Sequence, residues 1–146
     1  MDSDAIEILM VEDNPGDVEL TREALKAGKL HNHFNVVEDG EAALDYLFQR
    51  PPFEDALRPD LILLDLNLPK ISGREVLAEV KADKGLCTIP IVVLSSSEDA
   101  ADIKKAYELN ANSFVTKPVQ IESFIKVAQA IEHFWIKIVK LPSGKN

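Results

Sequence analysis

The sequence predicts an α/β fold, a five-stranded doubly wound parallel sheet, and three observations carry that prediction. Five short apolar runs recur along the 146 residues, each followed by a segment with helical periodicity. The first, third and fourth runs are apolar on both faces rather than alternating, as a parallel strand covered by helices on both sides must be. The resulting order, βαβαβαβαβα, closes into one sheet whose right-handed crossovers place helices on each face.

The first strand is Ile6–Val11. Asn14 is a plausible N-cap for the helix after it, Pro15 suits the first helical position, and Asp17 and Glu19 sit near the positive end of its dipole. Gly28 ends that helix. The second run is Phe34–Val37, and a helix carrying Ala43, Leu44 and Leu47 follows Asp39-Gly40. Residues 49–59, with Pro51, Pro52 and Pro59, read as a long loop before the third run, Leu61–Leu66. A third helix follows Gly73 with Val76, Leu77 and Val80 on one face; the fourth run is Ile89–Leu94. A fourth helix is expected from about Ser97 toward Leu109, then a fifth run at Ser113–Val115. An extended last helix opens after Pro118, carrying Ile121, Phe124, Ile125, Ala128, Ile131, Trp135 and Ile138. There is no repeat and no linker, so a single domain spanning 1–146 with no output domain is expected.

A net charge of −9 argues against nucleic acid as a direct partner, because phosphate binding needs a basic surface. The single cysteine, Cys87, forms no internal disulfide, and the acidic start Met1-Asp2-Ser3-Asp4 is unlike a signal peptide. No apolar stretch approaches the roughly 18 residues of a membrane span. A cytoplasmic protein without membrane contact is expected. His31, His33 and His133 show no ligand spacing and are read as solvent-exposed.

Carboxylates punctuate the runs. Glu12-Asp13 closes the first and Asp65 the third, while Ser95-Ser96 and Thr116-Lys117 close the fourth and fifth. In open parallel sheets the ligand site lies beyond the carboxyl ends of the strands. Carboxylates from two strand ends repel one another unless a divalent cation sits between them. Three carboxylates, a hydroxyl and an ammonium suit phosphoryl transfer to an aspartate. Asp65 is then the nucleophile, and Glu12 and Asp13 hold magnesium directly or through water. Ser95, preferred over its serine neighbours, donates to a phosphoryl oxygen, and Lys117 neutralises another.

These residues resemble the receiver domain of two-component response regulators over nearly the whole chain. The match comprises Val11-Glu12-Asp13-Asn14, Leu64-Asp65-Leu66-Asn67-Leu68-Pro69, Gly73, Ser95 thirty residues after Asp65, and Lys117-Pro118 twenty-two residues later. The resemblance implies a flavodoxin-like strand order, 2-1-3-4-5, and phosphorylation of Asp65 by a histidine kinase, with autodephosphorylation. It also implies Mg2+ completed by the Asn67 main-chain carbonyl, and a cis peptide at Lys117-Pro118. Arg58–Lys70 and the ending Phe134–Pro142 look like single-domain regulators that partner bacterial, especially cyanobacterial, phytochrome kinases. Two positions depart from the commoner pattern: Glu12 stands for aspartate, and Phe114 for an aromatic that is often tyrosine. Phe114 and Ser95 are the expected switch residues, Phe114 signalling through burial of its ring.

The last helix is apolar over more than one stripe, which fits half of an interface better than deep burial. Phe134, Trp135 and Ile138 are its expected anchors in a homodimer. Other functions fit less well. A flavin carrier needs a phosphate loop where this chain has Glu12-Asp13-Asn14-Pro15-Gly16-Asp17, and an aspartyl phosphatase has a second aspartate where Asn67 stands. A receiver-like adaptor that is never phosphorylated is the alternative, and intact Asp65 and Lys117 argue against it.

Overall fold

The computed structural model describes residues 5–27, 32–66, 68, 70–95 and 113–116, with the backbone alone at Ala24, Ser95 and 113–116. Five parallel strands form one sheet in the order β2-β1-β3-β4-β5. They are β1 (Ile6–Val11), β2 (Asn32–Val37), β3 (Leu61–Asp65), β4 (Ile91–Ser95) and β5 (Ser113–Thr116). Three helices are described: α1 (Pro15–Ala27), α2 (Gly40–Leu47) and α3 (Gly73–Ala82). The predicted fourth and last helices, the stop at Gly28 and the Lys117-Pro118 peptide lie outside the described residues.

The doubly apolar runs become the sheet centre. Every residue of β3 is buried, as are all of β1 but Glu7. One face packs Leu9, Val11, Ile62 and Leu64 against Leu44 and Leu47 of α2 and Val76, Leu77 and Val80 of α3. Each such side chain withdrawn from water contributes about 1.5–3 kcal/mol. At the amino end of the sheet β1 and β3 are clasped by two bonds. The Asp60 amide donates to the Glu7 carbonyl at 2.7 Å, and the Glu7 amide donates to Asp60 Oδ2 at 2.9 Å.

Caps set where the helices start, and hence where the loops of the opposite rim run. Asn14 Oδ1 accepts the Asp17 amide at 3.1 Å, as its N-cap reading requires. Asp39 accepts from the Ala42 amide at 2.7 Å, and Ser72 from the Glu75 amide at 3.2 Å. Gly40 lets α2 touch the loop before α3, since a Cβ there would stand 1.9 Å from the Ile71 carbonyl oxygen.

Five strand limits differ from the sequence reading, two of them because β4 and β5 each run one residue further than expected, to Ser95 and Thr116. β2 begins at Asn32 rather than Phe34; it is an edge strand, half exposed, so its polar start does not betray pairing. β4 begins at Ile91 rather than Ile89. Ile89 is fully buried, but its amide closes a turn onto the Leu86 carbonyl, so its apolarity reports burial and not strand pairing. β3 ends at Asp65, although buried Leu66 still donates to the Leu94 carbonyl at 3.2 Å. His33 is about half exposed and pairs through Nδ1 with Glu7, its partner in the β1–β2 register.

Candidate metal and phosphoryl site

Glu12, Asp13 and Asp65 meet at the carboxyl ends of β1 and β3. One carboxylate oxygen from each lies within 4.8 Å of the others. The strands fix this approach. Val11 pairs with Leu64, so the residues after each emerge side by side. The Glu12 amide extends the β1–β2 ladder by donating to the Val37 carbonyl at 3.0 Å. The Asn14 amide donates to Glu12 Oε2 at 3.2 Å, which holds the longer glutamate side chain back toward its own turn. Glu12 and Asp65 are 1% and 3% exposed, while Asp13 is open to solvent. The cluster is therefore desolvated on its inner side and accessible on its outer side.

Gly73 brings α3 against this rim. Its amide donates to the Leu66 carbonyl at 3.1 Å, and a Cβ on it would stand 2.2 Å from the Asp65 carbonyl oxygen and 2.5 Å from the Leu66 Cα. A side chain at 73 is thus incompatible with the backbone that presents Asp65. From β4, Leu94 lies opposite Asp65, and Ser95 lies opposite Thr116 of β5. The backbone of Ser95 therefore reaches the same rim, one residue beyond the register of Asp65. Phe114 pairs with Val93, inside β5. Asn67, Lys117, Phe134, Trp135 and Ile138 lie outside the described residues.

Three anionic oxygen donors suit a hard cation and offer nothing that prefers a soft one, since no thiolate or imidazole joins them among the described residues. Charge of the same sign this close is relieved by a divalent ion. Such an ion beside a half-desolvated carboxylate equips the rim for transfer of a phosphoryl group.

Two residues of the rim were not singled out from the sequence as doing this work. Ser72 caps α3, and the spacing Ser72-Gly73-Arg74-Glu75 is a capping-box signal that was there to find. Lys70 adopts φ 65° in the loop after Asp65, a backbone conformation that nothing in a lysine advertises. Its Nζ lies 3.5 Å from Glu41 and 3.8 Å from Asp39 at the start of α2, tying that loop to the neighbouring helix.

Residues 8–129 match the family model of the response regulator receiver domain. Response regulator Rcp1 of Synechocystis sp. is 44% identical over 137 residues, which cover 94% of this chain and 93% of that protein. Its Mn2+-bound crystal structure aligns with a TM-score of 0.81 over 94% of this chain and 99% of that one. The phosphorylated cyanobacterial phytochrome response regulator RcpA aligns at 0.82 with 44% identity, over 94% and 99% of the two chains. The bacteriophytochrome response regulator RtBRR aligns at 0.80 with 42% identity, over 97% and 86%. With the parallel sheet in the order β2-β1-β3-β4-β5 and the acidic rim of β1 and β3, these matches identify the chain as a member of the response regulator receiver family.

Proposed function

We propose that the chain acts as a receiver domain that accepts a phosphoryl group on Asp65 from a histidine kinase and signals through protein contacts. The approach of the Glu12, Asp13 and Asp65 carboxylates to within 4.8 Å is the observation that carries this reading. An Asp65 carboxylate oxygen attacks phosphorus in line, the kinase's P–N bond breaks with its electron pair leaving on the imidazole nitrogen, and an acyl phosphate remains. Water later attacks the same phosphorus, the P–O bond to Asp65 breaks with its electron pair returning to the carboxylate, and inorganic phosphate leaves with the water's oxygen, which is autodephosphorylation. Glu12, Asp13, Asp65 and the Asn67 main-chain carbonyl are the groups assigned to Mg2+, whose charge, when bound, offsets that of the phosphoryl oxygens. Ser95 donates to one of those oxygens and Lys117 neutralises another. Phe114 follows Ser95 inward and changes the surface that a partner reads.

The kinase partner is assigned to the phytochrome class. The support is the 44% identity to Rcp1 and to RcpA, the latter a cyanobacterial phytochrome response regulator. The protein acts in the cytoplasm, with no nucleic acid or membrane partner, and dimerises through Phe134, Trp135 and Ile138. Among the described residues no helix is long and apolar enough to cross a membrane.

The test is intact mass after incubation with acetyl phosphate and Mg2+, beside the Asp65→Asn variant and an EDTA control. One phosphoryl adduct on the wild type, absent from both others, is expected. An adduct of equal stoichiometry on Asp65→Asn sinks the assignment.

A further inference from the structure

At the opposite end of the sheet from the acidic rim, the loop between α2 and β3 walls a cavity of about 290 Å³. Glu7 and Asp55 supply carboxylates to its lining, Tyr46 and Phe53 supply aromatic rings, and Leu57 supplies an aliphatic edge. None of the described residues that line it is a lysine or an arginine. The rings lie 5.4 Å apart at 55°, a tilted pair. Leu57 is 61% exposed, a large apolar side chain standing in water beside the opening.

The loop is built to hold this shape. The Phe53 amide donates to the Arg50 carbonyl at 2.7 Å and the Ala56 amide to the Phe53 carbonyl at 3.1 Å. Gln49 Nε2 spans the loop to the Ala56 carbonyl at 2.9 Å. Both arginines of the loop are turned elsewhere. Arg50 lies over the Phe48 ring at 4.8 Å and beside Asp45 at 3.5 Å. Arg58 donates to the Gly85 carbonyl at 3.1 Å and the Thr88 hydroxyl at 2.9 Å. The neighbouring cation is His33, which pairs with Glu7 from β2 and carries a charge only when protonated. The Glu7 carboxylate, after burial, helps to hold the Tyr46 hydroxyl above its ordinary pKa, so a negative field reaches the aromatic wall.

We propose that this cavity is a docking site for an arginine side chain carried on an apolar segment of a protein partner, with the guanidinium between the Glu7 and Asp55 carboxylates and the Tyr46 and Phe53 rings. Arginine fits such a site through its planar fork, which meets carboxylates and stacks on aromatic faces. Leu57 then covers the aliphatic flank of the same segment, as an apolar anchor beside a charged one does at protein interfaces. The site is about 16 Å of β1 away from the acidic rim, at 3.3 Å per residue, so it is separate from the phosphoryl chemistry.

The test titrates the isotope-labelled protein with the peptide acetyl-Leu-Arg-Leu-amide and with its norleucine counterpart, reading amide and methyl resonances. Saturable shifts confined to Tyr46, Phe53, Ala56 and Leu57, with the arginyl peptide only, are expected. Asp55→Asn, an exposed change that leaves the fold alone, weakens binding by about fivefold, and adding Glu7→Gln weakens it further. No localised shift, equal shifts with the norleucine peptide, or shifts spread over the acidic surface overturn the proposal. Movement of the same resonances on concentrating the protein alone assigns the cavity to a second copy of this chain, and overturns it equally.

Discussion

Asp65→Asn removes one charge from the acidic rim while keeping the size of the side chain, so it tests the electrostatic strain that a cation has to relieve. At 4.8 Å and an effective dielectric of about 20, two unit charges repel by about 3.5 kcal/mol. The Glu12–Asp65 pair experiences most of this, because the two residues are 1% and 3% exposed. The repulsion with Asp13 is screened by solvent. The Asn14 amide that donates to Glu12 offsets part of the cost. The net gain for the metal-free variant is therefore about 1–3 kcal/mol, or about 2–4 °C per kcal/mol in Tm. Mg2+ works the other way: at tenfold above its Kd it stabilises the wild type by about 1.4 kcal/mol, and Asp65→Asn receives less from the same concentration. The assay is urea unfolding of both proteins in EDTA and then in Mg2+, with the midpoints compared at equal slope. If the variant is less stable than wild type in EDTA, or gains as much from Mg2+, the carboxylates are not strained against one another and the reasoning fails.

Gly73→Ala forces a Cβ to within 2.2 Å of the Asp65 carbonyl oxygen. It is expected to cost about 1–3 kcal/mol on unfolding and, by shifting the nucleophile, up to about 100-fold in acetyl phosphate labelling; unchanged values for both would show that α3 does not position Asp65. Tyr46 has its pKa raised first by burial and second by Glu7. The folded state then keeps a proton that the unfolded chain loses near 10.0, so the stabilisation is complete below that pH and is lost as pH climbs through the folded value. An ultraviolet phenolate titration should move down in Glu7→Gln, and Tyr46→Phe should flatten this loss of stability. Phe134→Ala with Trp135→Ala should convert a dimer to monomer in sedimentation, and an unaltered mass would locate the interface elsewhere.

How far the sequence could be read follows from what each element does. Interior strands announce themselves: β1 emerged as Ile6–Val11 and β3 from Leu61 because both faces of each are covered, leaving an unbroken apolar run. The start of edge strand β2 did not, since Asn32 and His33 pair with β1 through backbone groups that polarity does not reveal. The acidic rim was legible because Glu12, Asp13 and Asp65 stand where strands end, and the sheet brings their oxygens together as expected. Its supports were less so. Gly73 stood in the motif, but its role as the point where α3 meets the Asp65 backbone depends on a tertiary approach. The φ of Lys70 depends on a loop held by Asp39 and Glu41, far away in sequence. Residues 49–59 read only as a long loop, whereas Phe53 packs from it on Tyr46 and shapes the cavity beneath.

The central claim is that the phosphoryl group resides on Asp65. Borohydride reduction of the acyl phosphate formed with acetyl phosphate and Mg2+, followed by peptide mass spectrometry, reads the modified position directly. Reduction at Asp65, absent when Mg2+ is withheld, is the predicted result. Reduction at Glu12 or Asp13, or none at all in protein that carries the phosphoryl mass, would contradict it.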